Sequence, residues 1–386
     1  MNKGKRMRLL VISHEFPPIG GGGGRAAQDI CQGLVERGYQ IQVLTAHYRG
    51  LPKQETSDNL VIHRIASFRS QAFRAGLFAM GGFVIASTLA GFRLVRHWKP
   101  DLLHIHFAVP SGAVGWMINK VTGIPYVLTA HLGDVPGGVP EKTKSWFKLV
   151  APLTPPIWKN AVRVVAVSDF TRQLALARYP VEIQVIPNGV DLTKVTPGTI
   201  QVNHPPRIVF AGRFMPQKNL VQLVRSLAEV KHLPWVCTLI GDGPLRQDIE
   251  VEVGRLNLET RISFTGWVTP EQVIEVFSQS DILFMPSLSE GLPVVGVQAL
   301  ASGLAIVSSD VGGWLDIVSQ GVNGFLVSNQ NPQGYTEALE YLLVNPARLG
   351  DFRLSSRTKA SQFDLSNVVD AYDIVFTQLL ERSSRP

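Results

Sequence analysis

The chain has 386 residues, 45% of them hydrophobic and 17% charged, which excludes a disordered polypeptide and suits two α/β cores better than one. Its two cysteines, Cys31 and Cys237, make no disulfide framework and point to a reducing compartment. The net charge of +7 conceals an asymmetry. Residues 1–195 carry 23 Lys/Arg against 11 Asp/Glu, and residues 196–386 carry 14 against 19. That distribution argues against nucleic acid as a partner and for an anionic partner on the first half, with plain solubility as the alternative.

The basic start, Met1–Arg8, leads into an apolar run, Leu9–Ile12, that is too short for a signal peptide. Runs rich in Val, Ile and Leu, bounded by Gly, Pro, Asn or Asp, predict strands at Arg8–Ser13, Gln40–Thr45, Leu60–Arg64, Asp101–His106, Tyr126–Thr129, Val162–Val167 and Glu182–Ile186. Pro187–Pro206 has little periodicity and reads as a linker. A second set of strands follows at Arg207–Ala211, Val236–Ile240, Ile262–Thr265, Ile282–Met285, Ala305–Ser308 and Phe325–Val327. Continuous apolar strands alternating with helical segments predict parallel sheets covered on both faces. Leu365–Leu380 has helical spacing.

The motifs fall at strand ends. Pro17-Pro18 followed by Gly20–Gly24 and Arg25 opens a helix from Ala26. Glycines let backbone amides approach a ligand, and a helix N-terminus suits phosphate; a flexible turn is the plainer reading. No Gly-x-Gly-x-x-Gly register fits, and no Gly-Lys-Ser/Thr follows, which weighs against a dehydrogenase and an ATPase. Residues 59–100 hold Arg64, Arg69, Arg74, Arg93, Arg96 and Lys99 and no acid, around an uncharged stretch, Ala75–Phe92. A helical pair inside a soluble domain, a helix lying on an anionic membrane and a membrane span all fit it. His104 and His106 share one strand face; with His131 they lack an acidic or cysteine partner at ligand spacing, so no metal is expected. In the second half, Arg213 and Lys218 stand five apart after a strand and suit a diphosphate. Glu290-Gly291-Leu292-Pro293 precedes an apolar helix start. Its carboxylate could accept from sugar hydroxyls, and its loop amides could hold a phosphate; a Glu favoured at a helix N-terminus is the structural alternative.

The Arg213/Lys218 pair, with Glu290 and a polar residue eight positions on, resembles the retaining glycosyltransferases of family 4. Pro187–Asp191, Gly241–Pro244, Val311–Gly313 and Asn323–Phe325 are similar to that family too. The resemblance implies an α/β fold of GT-B architecture: two Rossmann-like domains facing across a cleft, with the last helix crossing back to the first. It implies a first domain of residues 1–195 joined by 365–386, taking the acceptor, and a second of 196–364, taking the nucleotide sugar. By position, Arg213 and Lys218 match the diphosphate-gripping pair, and Glu290 matches the first acid of a Glu-x7-Glu motif that holds the transferred sugar. Gly291, Leu292 and Pro293 match the loop beside that sugar, His131 the active-site histidine, and Gly22 and Gly23 the loop facing phosphate. Gln298 stands where the second, ribose-binding acid is usual; an amide keeps hydrogen-bonding capacity without charge. The implied enzyme is a metal-independent, hexosyltransferase-type glycosyltransferase without a cofactor. It retains anomeric configuration and works at the cytoplasmic membrane face on a saccharide or lipid-linked acceptor in polysaccharide or glycolipid synthesis. A catalytically silent nucleotide-sugar-binding or scaffold protein, and an epimerase of the same fold, are the rivals. Nothing in the sequence fixes an oligomeric state.

Overall fold

The computed structural model describes residues 7–71, 75–139, 150–195 and 200–383. The chain forms two compact units, one of residues up to Asn188 together with those from Leu365 onward, the other Gly189–Asp364.

The first unit is an eight-stranded sheet in the order β3-β4-β2-β1-β5-β6-β7-β8. The strands are β1 (Arg8–Ser13), β2 (Gln40–Ala46), β3 (Gln54–Ser57), β4 (Leu60–Ile65), β5 (Leu102–His106), β6 (Tyr126–Ala130), β7 (Arg163–Ala166) and β8 (Ile183–Val185). All pair in parallel except β3, which runs antiparallel to β4. Side chains alternate across a strand, so each sheet face has its own core. Leu10, Ile12, Leu44, Ile105 and Leu128 pack beneath helix α2 (Leu77–Trp98). Leu9, Val11, Ile41, Val43 and Val127 pack against Ala27, Ile30 and Leu34 of helix α1 (Gly22–Glu36) and against Val368, Val369, Tyr372 and Phe376 of the last helix, Leu365–Ser383. That last helix therefore belongs to the first unit. It approaches closely enough that a Cβ on Gly33 would lie 2.6 Å from Val369, and Arg37 ties to Asp370 at 2.6 Å.

From Leu77 on, the uncharged stretch lies in one 22-residue helix that continues through Arg93 and Arg96, not in a helical pair. Gly82 does not break α2; it makes room for the Phe68 ring, 2.7 Å from where a Cβ would stand. The helix is long and apolar enough to cross a membrane by length and composition, yet Ala79, Phe83, Ser87, Gly91 and Val95 are buried in the domain.

The second unit is a six-stranded parallel sheet in the order β11-β10-β9-β12-β13-β14. Its strands are β9 (Arg207–Ala211), β10 (Val236–Ile240), β11 (Ile262–Gly266), β12 (Ile282–Met285), β13 (Ala305–Ser309) and β14 (Gly324–Val327). In both sheets the chain builds outward from a central strand and then reverses. The switch lies between β1 and β5 in the first unit, and between β9 and β12 in the second. Ligands of open α/β sheets bind outside the carboxyl ends of the strands at such a point.

Candidate functional site

The candidate residues collect at these two switch points, and each unit is described by itself.

In the second unit, β9 ends at Ala211 and β12 at Met285, so the loops carrying Arg213, Lys218 and Glu290 start side by side. Lys218 Nζ lies 2.5 Å from Glu290 Oε1, and Glu290 is only 6% exposed. Charge pairing explains how a carboxylate tolerates that burial. The two loops are also laced through backbone: Leu288 N–H donates to Gln217 O, and Gln217 Nε2 donates to Ser289 O, both at 2.8 Å. Glu290 is thus held by a cation rather than left to a helix terminus. Glycines behind the site permit the approach. Gly312, at φ +58°, would place a Cβ 1.7 Å from Glu290 O, and a Cβ on Gly313 would lie 1.9 Å from Gly291 O. Gly241, at φ +123°, lies against Gly212 O in the same way, bracing the loop that carries Arg213. Arg213 is partly buried. The loop Gly291–Leu292–Pro293 runs directly into helix Val294–Ser302. Pro293 has no N–H to offer there. Gln298 stands in that helix, half-buried.

In the first unit, α1 starts at Gly22, inside the glycine run rather than at Ala26 as the sequence suggests, so Gly22–Gly24 form its first turn. A Cβ on Gly23 would lie 2.7 Å from Phe107 Cζ and 3.1 Å from His131 Nδ1, so the glycine loop, the end of β5 and the end of β6 converge. Phe107 takes φ +73°, a costly conformation for a bulky residue, and its ring stacks on His131 at 4.2 Å. Asp134 fixes this corner by accepting from the amides of His131 at 2.8 Å and Val109 at 3.2 Å. Burial raises the Asp134 carboxyl to about 7 against those stabilising bonds. Burial likewise lowers His131 to about 4, with Glu15 opposing, and lowers His14 to about 4. His131 is therefore a neutral imidazole at pH 7. Its Nε2 is buried and has no partner among the described residues. Beneath it, His104 Nε2 meets Thr129 Oγ1 at 2.9 Å, and Thr129 Oγ1 meets the Tyr372 hydroxyl at 3.1 Å. Among the described residues no group of three His, Cys, Asp or Glu is arranged to hold a metal.

One sequence expectation changes. Of the six cations in residues 59–100, Arg64 and Arg69 are buried rather than free for a surface, and Arg74 lies outside the described residues. Arg93, Arg96 and Lys99 are exposed. Sequence reasoning also missed Glu15, Phe107 and Asp134. Asp134 three residues after His131 was the available signal, because a helix cap commonly pairs with a residue at that spacing.

Residues 20–194 match the family model described as Glycosyltransferase Family 4, and residues 199–360 match Glycosyl transferases group 1. The D-inositol 3-phosphate glycosyltransferase of Rhodococcus erythropolis is 30% identical over 96% of this chain and 91% of its own length. The 2-deoxystreptamine glucosyltransferase of Streptomyces kanamyceticus is 27% identical over 86% of this chain and 92% of its own. Among solved structures, the sucrose-phosphate synthase of Thermosynechococcus elongatus superposes with a TM-score of 0.86 at 22% identity, covering 98% of this chain and 100% of that one. HepE of Anabaena, in complex with UDP-glucose, superposes with a TM-score of 0.77 at 17% identity, covering 97% and 100%. At those identities the structural likeness establishes the fold.

Proposed function

This chain belongs to glycosyltransferase family 4 and is a glycosyltransferase of GT-B fold; from that premise we propose that it moves a sugar from a nucleotide-diphosphate donor, with retention, onto a lipid-linked or saccharide acceptor. The observation that carries the reading is the Lys218–Glu290 pair beside Arg213 at the switch point of the second unit. Arg213 and Lys218 take the donor diphosphate and stabilise the charge that develops on it as it leaves. Glu290, released from Lys218 by that anion, accepts hydrogen bonds from hydroxyls of the sugar, and the amides of Gly291 and Leu292 complete the loop. Gln298 takes the ribose. His131, neutral and with no partner for its Nε2 among the described residues, serves the reacting sugar from the first unit. No protein metal and no cofactor take part. The leaving phosphate removes the acceptor proton on the face from which it departs.

An acceptor at the cytoplasmic membrane face is supported by α2. Phe78 is 92% exposed, and Ile85 and Leu89 follow it on the same stripe. Phe68, 85% exposed, stands beside them, and Arg93, Arg96 and Lys99 continue the helix and its end. Three cations near an anionic surface contribute about 1 kcal/mol each, and inserted apolar side chains add to that. The enzyme is thus read as peripheral, docking to reach a glycolipid or polysaccharide precursor.

A thermal-shift screen with UDP-glucose, ADP-glucose and GDP-mannose tests the donor. A bound donor at 100 times its Kd raises stability by about 2.7 kcal/mol, and release of the nucleoside diphosphate separates an enzyme from a silent binder. Stabilisation without release would favour the silent binder, and no stabilisation by any sugar nucleotide would overturn the reading. Sedimentation with phosphatidylglycerol vesicles tests docking: binding weakened by salt supports it, and absence of binding makes a soluble acceptor the better reading.

A further inference from the structure

The two buried arginines of the acid-free run turn toward the loop between β1 and α1. Arg69 donates from Nη1 to His14 O at 3.2 Å and from Nε to Gln71 O at 3.0 Å. Its Nη2 lies 3.7 Å from Glu15 Oε1. Arg64 donates from Nη2 to Pro17 O at 3.1 Å and to Glu55 Oε1 at 3.0 Å. Glu15 in turn accepts the Gly21 amide on Oε2 at 3.0 Å. Gly21 is the residue that caps α1, so the carboxylate sits where a helix N-terminus favours negative charge. The loop folds onto this side chain closely: a Cβ on Gly20, at φ +96°, would lie 2.5 Å from Glu15 Cβ.

Five consecutive glycines have the least conformational restriction a chain can have, and ordering them is costly. The loop has few side chains with which to fix itself, yet Gly23 must sit against Phe107 and His131 for that corner to close. We propose that Glu15 and Arg69 are positioning residues for glycosyl transfer, a charged latch that holds Gly20–Gly24 in the place from which Gly23 sets His131 and Phe107. Neither side chain needs to touch substrate. The latch also takes the Gly21 amide out of phosphate binding and leaves those of exposed Gly22 and half-buried Gly23 as the candidates. The inference rests on the proposed function only in placing His131 at the reacting centre.

The test uses Glu15→Gln, which keeps the shape and an acceptor, together with Arg69→Met, Arg69→Lys and the Glu15→Gln/Arg69→Met double variant. Amide hydrogen exchange of residues 20–25, which needs no substrate, should quicken about tenfold in Glu15→Gln and Arg69→Met. The double variant should be no faster than the singles, because both break one latch. Strands β1, β5 and β6 and the whole second unit should exchange as in the wild type. With whichever of UDP-glucose, ADP-glucose or GDP-mannose stabilises the protein most, kcat should fall about tenfold in both singles while the KM for that donor stays within about twofold, and Arg69→Lys should recover part of kcat. Unchanged loop exchange overturns the latch. So does loosening throughout the first unit, which would mark a structural role, or a loosened loop with unchanged kcat. If the wild type turns over none of the three donors, the donor assignment fails while the exchange result still decides the latch.

Discussion

The two units place their functional loops at equivalent points of similar sheets, but they hold them differently. In the second unit the support is backbone against backbone: Gly312 and Gly313 lie under the carbonyls of Glu290 and Gly291, and Gly241 lies under that of Gly212. The charges there, Lys218 and Glu290, pair with each other. In the first unit the support is side chain against loop, through Glu15, Arg69, Phe107 and Asp134, and the titratable groups are mostly neutral histidines buried in the sheet. One candidate site is thus framed by main chain around an ion pair, the other by side chains around an uncharged imidazole.

The difference is broken most severely by glycine replacement. Gly312→Ala meets backbone at a positive φ and cannot relax, so it should cost about 2–3 kcal/mol of stability and displace Glu290. Gly23→Ala meets only the Phe107 and His131 rings, which can shift, so about 1 kcal/mol is expected. Urea unfolding of both variants checks the order, and equal losses would refute the contrast. Next in size is Lys218→Ala. Losing a charge-assisted contact should weaken donor binding about 10- to 150-fold, and Glu290 left buried without its cation should lower stability as well. Calorimetry and thermal unfolding read the two effects separately.

The histidines set a pH dependence. His14 and His131 stay neutral down to about 4 and His104 to about 3, and His106 is lowered too, all chiefly by burial. Their stabilising contribution is complete above 6.5 and is lost as pH falls toward those values, because the unfolded chain takes up protons that the fold refuses. Each group contributes a slope of up to about 1.4 kcal/mol per pH unit. Asp134, raised to about 7, works oppositely: its contribution is complete below 3.8 and lost as pH rises through 7, so it offsets one histidine. The urea midpoint should therefore fall between pH 7 and pH 5.5, and a rise would contradict the neutral-histidine picture. The smallest effect belongs to Gln298→Glu, which should change donor affinity by no more than about threefold by calorimetry; a larger loss would mean that the amide donates a bond the ribose needs.

Much of this was legible in the sequence because strands announce themselves by apolar runs and because switch-point loops inherit their place from strand order. The placement of Arg213, Lys218 and Glu290 in loops after strands was recoverable on that ground, while their roles rest on the family resemblance. The edge strand β3 was not, since Gln54–Ser57 is short and polar and takes its form from β4. Nor was α2 as a single helix packed in the domain, because a helical pair, a surface helix and a span all fit the stretch until Phe68 is seen lying over Gly82. The latch between Glu15 and Arg69 joins residues 54 positions apart by side-chain contact, which no local pattern encodes.

In the proposed function the second unit divides the donor, with the diphosphate going to Arg213 and Lys218 and the sugar to Glu290. Calorimetric titration of the Glu290→Gln variant with a nucleoside diphosphate, and separately with its sugar nucleotide, tests it directly. The diphosphate should bind at least as tightly as to the wild type, because Lys218 is released from its partner. The sugar nucleotide should lose about 10- to 150-fold in affinity relative to the diphosphate. An equal loss for both ligands would contradict it.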